Sequence, residues 1–348
     1  MTYKLTIPSR GGAYPVVIGR GLDQGALVSG VHPACRALIV SDENVFPLYG
    51  ARVRESLAAR GFDAYGYAFA HGERSKTLST VGDILNFLAE NEFTRGDIIV
   101  AIGGGVVGDL AGFAAAVYMR GIGYVQLPTT LLAAVDSSVG GKTGVDLPSG
   151  KNLAGAFHSP LGVFCDTALL ETLPEAMFAD GYAEAVKSAM IGDPDLFSAL
   201  RETELSEVIY RCVSVKGGIV TRDETETGER QFLNFGHTVG HAVEALSGYA
   251  VTHGSAVAIG MAKITRLAEM YGLSEPGCAG ALVDLLRYYG LPTECEYSDE
   301  AVAHLIRRDK KRRGGYISFI IPRAVGKMEI IKVETERVED FLGGKYIP

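Results

Sequence analysis

The stretch DIIVAIGGGVVGDLAGFAAAV, residues 97 to 117, decides the fold. Asp97 to Ile102 is a short unbroken apolar run, the pattern of a strand covered on both faces. It passes directly into Gly103-Gly104-Gly105, and a helical segment follows from about Val107 to Val117. Strand, glycine turn and helix make one βα unit of a parallel sheet. Gly103, Gly105 and Gly108 fit GxGxxG, a spacing that lets backbone N–H groups approach a pyrophosphate at a helix N-terminus. Alone the motif is weak, because a glycine-rich βα turn with no ligand has the same spelling. It does not lie in the first βα unit, and no isolated acid follows the next strand to hold a ribose. Further cofactor contacts must come from other strand ends, where ligands of open α/β sheets lie. Asp42, Asn44, Glu73, Lys76, Thr129 and Thr130 are the candidates.

Outward from this unit the same rhythm holds. Residues 36–41 read as a buried strand, 45–60 as a helix, 62–69 as a strand, 77–91 as a helix capped by Ser75 or Thr77, and 123–127 as a strand. Residues 1–30 read as short β segments with glycine turns. After about Leu173 the pattern changes: 174–190, 196–216, 237–246, 255–271 and 276–289 are helical, with a weak β stretch at 316–321. The expectation is α/β plus α, a parallel-sheet domain over 1–172 and a mostly helical domain over 173–348.

Composition excludes several classes. The net charge of −8 on 348 residues argues against nucleic acid or an acidic membrane as partner, so an anionic ligand would need a local basic pocket. Five cysteines without a CxxC argue against a disulfide framework and fit a reducing compartment. No apolar run approaches the roughly 20 residues of a membrane span, and MTYKLTIPSRGG has no signal-peptide core. The expected location is the cytoplasm.

Two constellations carry chemistry. The first is Glu184-x-x-Lys187, then Asn234-x-x-His237-x-x-x-His241, then His253. His237 and His241 share a helix face. HTVGH resembles the HExxH zinc motif, but Thr238 stands where a peptidase needs glutamate. A carboxylate with two histidines and an open position is a catalytic metal set. Glu184, His237, His241 and His253 are four candidates; three ligate and one moves protons, or all four bind. The bland alternative is solvated histidines, but three of the seven histidines fall between 237 and 253. The second constellation is basic. Arg120, Lys142, Lys151 and Asn152 flank glycine-rich turns, a common phosphate cradle, and Lys310-Lys311-Arg312-Arg313 precedes Gly314-Gly315.

The blocks GGGVVGDLAGFAAAVYMRGI, QLPTTLLAAVDSSVGGKTGVDLPSGKNLAGAFHSP, YAEAVKSAM, LNFGHTVGHAVE and HGSAVAIGM closely resemble the 3-dehydroquinate synthase family of sugar-phosphate cyclases, from about Asp42 to Lys311. The resemblance implies a Rossmann-like NAD-binding domain and a helical metal- and substrate-binding domain. It implies metal ligands Glu184, His237 and His253, with zinc or cobalt, and His241 on the substrate side. It implies NAD contacts from Asp42, Asn44, Glu73, Lys76, Gly104, Gly105, Val106, Asp109, Thr129, Thr130, Asp136, Lys142, Lys151, Thr172 and Leu173. Substrate contacts would come from Asp136, Lys142, Lys151, Asn152, Lys187, Lys216, Arg230, Asn234, His241 and one of Lys310 and Lys311. Arg120 would reach the phosphate of a neighbouring subunit, which implies a homodimer. One departure stands out: Glu229 occupies a place where an apolar residue is expected, just before Arg230.

The implied reaction converts 3-deoxy-D-arabino-heptulosonate 7-phosphate to 3-dehydroquinate and phosphate by transient oxidation, β-elimination, reduction and intramolecular aldol closure. It requires nicotinamide, cation and ammonium groups to share one small molecule. The competing expectations are another sugar-phosphate cyclase, such as one making aminodehydroquinate, and a metal-dependent alcohol dehydrogenase, which would need no phosphate pocket. A silent NAD-binding regulator would have lost metal ligands or lysines, and neither set is lost.

Overall fold

The computed structural model describes residues 1–9, 11–223, 226, 228–310 and 315–346, with only the backbone at 309 and 310. Two compact units divide the chain: Met1–Pro174 with Glu204–Gly217, and Glu175–Thr203 with Gly218–Pro348.

The first unit is built on nine strands: β1 (Tyr3–Ser9), β2 (Gly12–Gly19), β3 (Arg36–Asp42), β4 (Asp63–Phe69), β5 (Ile98–Gly103), β6 (Gly123–Pro128), β7 (Lys142–Leu147), β8 (Gly150–Phe157) and β9 (Gly162–Asp166). Seven form one sheet in the order β1-β2-β9-β6-β5-β3-β4, parallel except for the β1–β2 hairpin. The helices are α1 (Gln24–Ser29), α2 (Ala51–Ala58), α3 (Leu78–Glu90) and α4 (Gly105–Val117). Strand side chains alternate between two cores, as a two-residue period demands. Leu38, Val40, Ile99 and Ala101 pack with Ile84, Leu88, Leu110 and Ala114 of α3 and α4. Ala37, Ile39, Ile98, Val100 and Ile102 pack with Val28, Val53 and Leu57 of α1 and α2. The unbroken apolar spelling of β3 and β5 follows from this double burial. Thr77 is the cap of α3; its side chain accepts from the Thr80 N–H.

The second unit holds α5 (Glu175–Gly192), α6 (Pro194–Ala199), α8 (His237–Leu246), α9 (His253–Met270), α10 (Cys278–Tyr288), α11 (Asp299–Lys310) and α12 (Val338–Leu342), with the hairpin of β10 (Tyr316–Ala324) and β11 (Lys327–Glu334). The helix α7 (Leu205–Arg222) contributes its residues up to Gly217 to the first unit and the rest to the second. No helix among the described residues is long and apolar enough to cross a membrane.

Two sequence expectations differ from the structure. The helix expected over 196–216 is two helices, because Asp193 and Pro194 start α6 and the chain turns before Leu205. The segment 204–217, placed with the helical domain from sequence, packs in the first unit, where Tyr210 stacks on Tyr3 at 4.8 Å and Ile7 lies against Gly217. Lys142, Lys151 and Asn152 flank glycine-rich turns as expected, following Gly141 and Gly150 at the starts of the antiparallel strands β7 and β8, with Val145 in the α3–α4 core. Finally, Glu229 is accommodated because Arg222 donates to it from Nε and Nη2, at 2.7 and 2.9 Å.

Candidate cofactor and metal sites

The glycine turn sits in the first unit at the end of β5, and each glycine has a reason. A Cβ on Gly103 would lie 2.4 Å from Val107, on Gly104 2.9 Å from Thr130, and on Gly108 2.5 Å from the Gln126 amide. Gly104 is the N-cap of α4 and offers no side chain, so the first-turn N–H groups face outward as donors for an anion. The buried Thr129 hydroxyl, next to the turn through its N–H bond to the Gly103 carbonyl, has no hydrogen-bond partner among the described residues. An open helix terminus beside an unsatisfied buried hydroxyl fits a dinucleotide. Val106 follows on α4.

Around it the structure gathers a charged network. Lys76 is buried, pairs with Asp109 at 2.6 Å and donates to Asn152 Oδ1 at 2.6 Å. Burial pulls the Lys76 pKa down, but Asp109, Glu73 and Asp146 outweigh it, so the ammonium stays charged above its ordinary range. Asp109 is itself pushed up, its burial exceeding the pull of Lys76. Asn152 has a left-handed backbone (φ 55°) and donates its N–H to Asp146. Lys151 lies 3.7 Å from Glu73. Lys216 donates to both the carbonyl and the carboxylate of Asp136. Lys142 is exposed at the start of β7.

The remaining candidates of this unit make local contacts of their own. Asp42 Oδ1 accepts the N–H groups of Asn44 and Val45, a tight turn at the end of β3. Thr172 meets the Tyr49 hydroxyl at 2.6 Å, and Leu173 closes a turn on Leu170. Arg120 is exposed at φ 70° on the turn after α4.

In the second unit three helices converge. Glu184 and Lys187 lie on α5 and form a fully buried ion pair. His237 and His241 lie on α8, and His253 is the first residue of α9. Ligand atoms of Glu184, His237 and His253 all lie within 4.8 Å of one another. The Nε2 atoms of His237 and His253 are 3.8 and 3.5 Å from Glu184 Oε1. His241, exposed, falls in a second such group with Glu244 and His253.

Glycine makes this convergence possible. A Cβ on Gly260 of α9 would lie 2.0 Å from the Gly236 carbonyl, and one on Gly240 of α8 2.9 Å from that of Ala256. The two helices therefore touch backbone to backbone. Gly254 lets α9 meet α5, since its Cβ would lie 2.3 Å from the Asp180 carbonyl. Asp180 also accepts the Ser255 N–H, at 3.1 Å, and the Thr252 hydroxyl, and so caps α9.

The electrostatics suit a cation. Neither Glu184 oxygen has a hydrogen-bond partner of sound geometry, although the side chain is fully buried; the charge rests on the Lys187 ion pair. Such a group is costly unless compensated. Burial, then the Lys187 charge, holds His237 well below the ordinary imidazole range and so neutral, as a ligand must be. At His253 burial works the other way from Glu184 and Glu244, which win and raise it to about 10. The positive charge that these acids recruit onto the ring is one a divalent ion would bring. The donor set fits zinc or cobalt.

Arg230 is buried in a 3-10 turn whose backbone is tied to Asp223. Asn234 donates to Glu226 Oε1 at 2.7 Å. Lys311 lies outside the described residues, as does the Lys310 side chain. Sequence reading missed Glu244, Asp180, Glu226 and Tyr49. Only Glu244 carried a signal, lying one turn beyond His241 on the same helix.

Two family models match the chain: 3-dehydroquinate synthase N-terminal over residues 66–180 and 3-dehydroquinate synthase C-terminal over 181–312. A 3-dehydroquinate synthase of Enterococcus faecalis is 44% identical, covering 97% of this chain and 98% of that one. Among solved structures, a 2-deoxy-scyllo-inosose synthase with carbaglucose-6-phosphate, NAD+ and Co2+ superposes with a TM-score of 0.86 at 27% identity over 98% of this chain and 99% of that one. The 2-epi-5-epi-valiolone synthase of Streptomyces hygroscopicus subsp. jinggangensis, with NAD+ and Zn2+, has a TM-score of 0.86 at 28% identity over 94% and 95%.

Proposed function

The chain belongs to the 3-dehydroquinate synthase family, and from that premise we propose that it cyclises 3-deoxy-D-arabino-heptulosonate 7-phosphate to 3-dehydroquinate with release of phosphate. The product places it in the shikimate route to aromatic amino acids. Beyond kinship, the carrying observation is the buried Glu184 carboxylate facing two imidazoles with both oxygens unsatisfied.

When bound, NAD supplies a reversible hydride acceptor and the divalent metal an acidifying partner for a substrate hydroxyl. Glu184, His237 and His253 hold the metal in this reading, and the α4 turn with Thr129 holds the nucleotide. Lys187 is buried beside Glu184, so its charge acts at low dielectric on oxyanion character in the substrate. Lys142, Asn152, His241 and one of Lys310 and Lys311 are the phosphate contacts that kinship implies, with Arg120 supplied from a neighbouring subunit. Arg230 and Asn234 hold the carboxylate or hydroxyls. The proton next to the new carbonyl leaves to the substrate phosphate, with His241 exposed at the edge of the cluster to relay it. Lys216, held on Asp136, is a further counter-charge.

The test uses the purified chain with the heptulosonate phosphate, NAD and zinc or cobalt. Equal yields of dehydroquinate and phosphate are expected, without net NADH. A chelator should abolish turnover and added metal restore it without refolding. Accumulating NADH would indicate a dehydrogenase instead, and preference for an aminated substrate the related cyclase. The homodimer is tested through Arg120→Ala, which should weaken substrate binding at the partner's phosphate pocket. Mixing it with an Arg230→Ala variant should restore part of the activity, because one hybrid pocket is then intact; no recovery would count against a cross-subunit arginine.

A further inference from the structure

We infer that Glu244 is a positioning residue of the metal centre: it holds the His253 ring through Nδ1 and so presents Nε2 toward Glu184 and His237. The inference rests on the metal reading above. Three observations carry it.

Glu244 is a carboxylate with 4% exposure on α8. Burying a charge there needs a reason. Its Oε2 lies 3.6 Å from His253 Nδ1, while the other nitrogen of the same ring, Nε2, lies 3.5 Å from Glu184 Oε1. One acid thus addresses each nitrogen, and the ring plane is set by the pair. A small turn of either side chain closes the outer contact to a hydrogen bond. His253 is also the ligand that most needs such a hold: its side chain is 34% exposed at the first position of α9, whereas those of His237 and Glu184 are 13% and 0% exposed. A carboxylate on the outer nitrogen fixes the tautomer and strengthens the inner nitrogen as a donor.

The rival role is direct ligation, because His241, Glu244 and His253 also bring ligand atoms within 4.8 Å of one another. Positioning is favoured because Glu184 already supplies a fully buried acid with unsatisfied oxygens on the inner nitrogen of the same ring.

The experiment measures zinc and cobalt affinity of the metal-stripped full chain by competition with a chromogenic chelator, together with stoichiometry and the visible spectrum of the cobalt form. Glu244→Ala should bind one ion per chain, as the parent does, with affinity lowered about 10- to 100-fold. Glu244→Gln keeps an acceptor oxygen and should recover most of that loss. If the alanine variant does not fold by circular dichroism, Glu244→Met, closer in volume, takes its place with the same expectation. Affinity unchanged in the alanine or methionine variant would overturn the inference. So would a glutamine variant as weak as alanine, or a parent that binds two ions where the variant binds one. A parent that binds neither metal, or a Glu184→Gln variant with parental affinity, would instead sink the metal reading and the inference with it.

Discussion

Glu184→Gln is expected to lose its divalent metal and at least about a thousandfold in kcat/KM, since removing roughly 4 kcal/mol of electrostatic stabilisation costs about that factor. Glutamine matches the shape of glutamate, so the loss isolates charge. The consequences reach Lys187, whose buried ammonium has Glu184 as its ion-pair partner. Breaking such a pair from one side typically costs about 3–5 kcal/mol. Lys187 can shed its proton to avoid part of that cost. The variant should therefore be less stable than the parent yet still folded, and inactive even when metal is in excess. Metal content, thermal midpoint and phosphate release together check this. A variant with full metal content and parental turnover would remove Glu184 from the centre.

Gly260→Ala is expected to lower stability by about 3 kcal/mol or more, because its Cβ would sit 2.0 Å from the Gly236 carbonyl and 3.0 Å from the Gly240 nitrogen. Backbone cannot swing aside as a long side chain can. Gly236 is itself at φ 80°, so the neighbouring turn has little room to adjust. For a chain of 348 residues a loss of that size corresponds to a melting midpoint lower by roughly 4 °C. The helices that separate carry His237 and His253, so metal affinity should fall with stability. Gly280→Ala in α10 is the control: its Cβ meets nothing within 4 Å, and alanine is the better helix former by roughly 1 kcal/mol. If the two variants melt alike, close backbone contact does not set the α8–α9 spacing.

Much of the fold was legible because burial on both faces leaves unbroken apolar spelling. The runs at 36–41 and 97–102 became β3 and β5 within a residue. The hairpin β7–β8 was not legible. Its strands are spelled KTGVDL and GKNLAGAF, where Gly144 and Gly155 face each other across the pair and suppress any alternation. Helix α11, DEAVAHLIRRDK, went unread because charged residues outnumber its few apolar positions. At the metal centre, spacing brought out four candidate ligands but could not rank them. Which nitrogen of His253 faces which acid is a fact of helix packing that spacing does not carry. Glu244 went unread for a related reason: a glutamate on an amphipathic helix is ordinarily a solvent-facing residue.

The way α9 begins has a practical meaning. Its first turn is moored by Asp180, and its flank rests on glycines of α8. The residues around Glu184, His237 and His253 are thus held by contacts within the polypeptide. Exchange of one divalent ion for another should then resemble changing a bulb in a fixed socket, with the ion's own chemistry, and not the protein's shape, deciding which cation serves best.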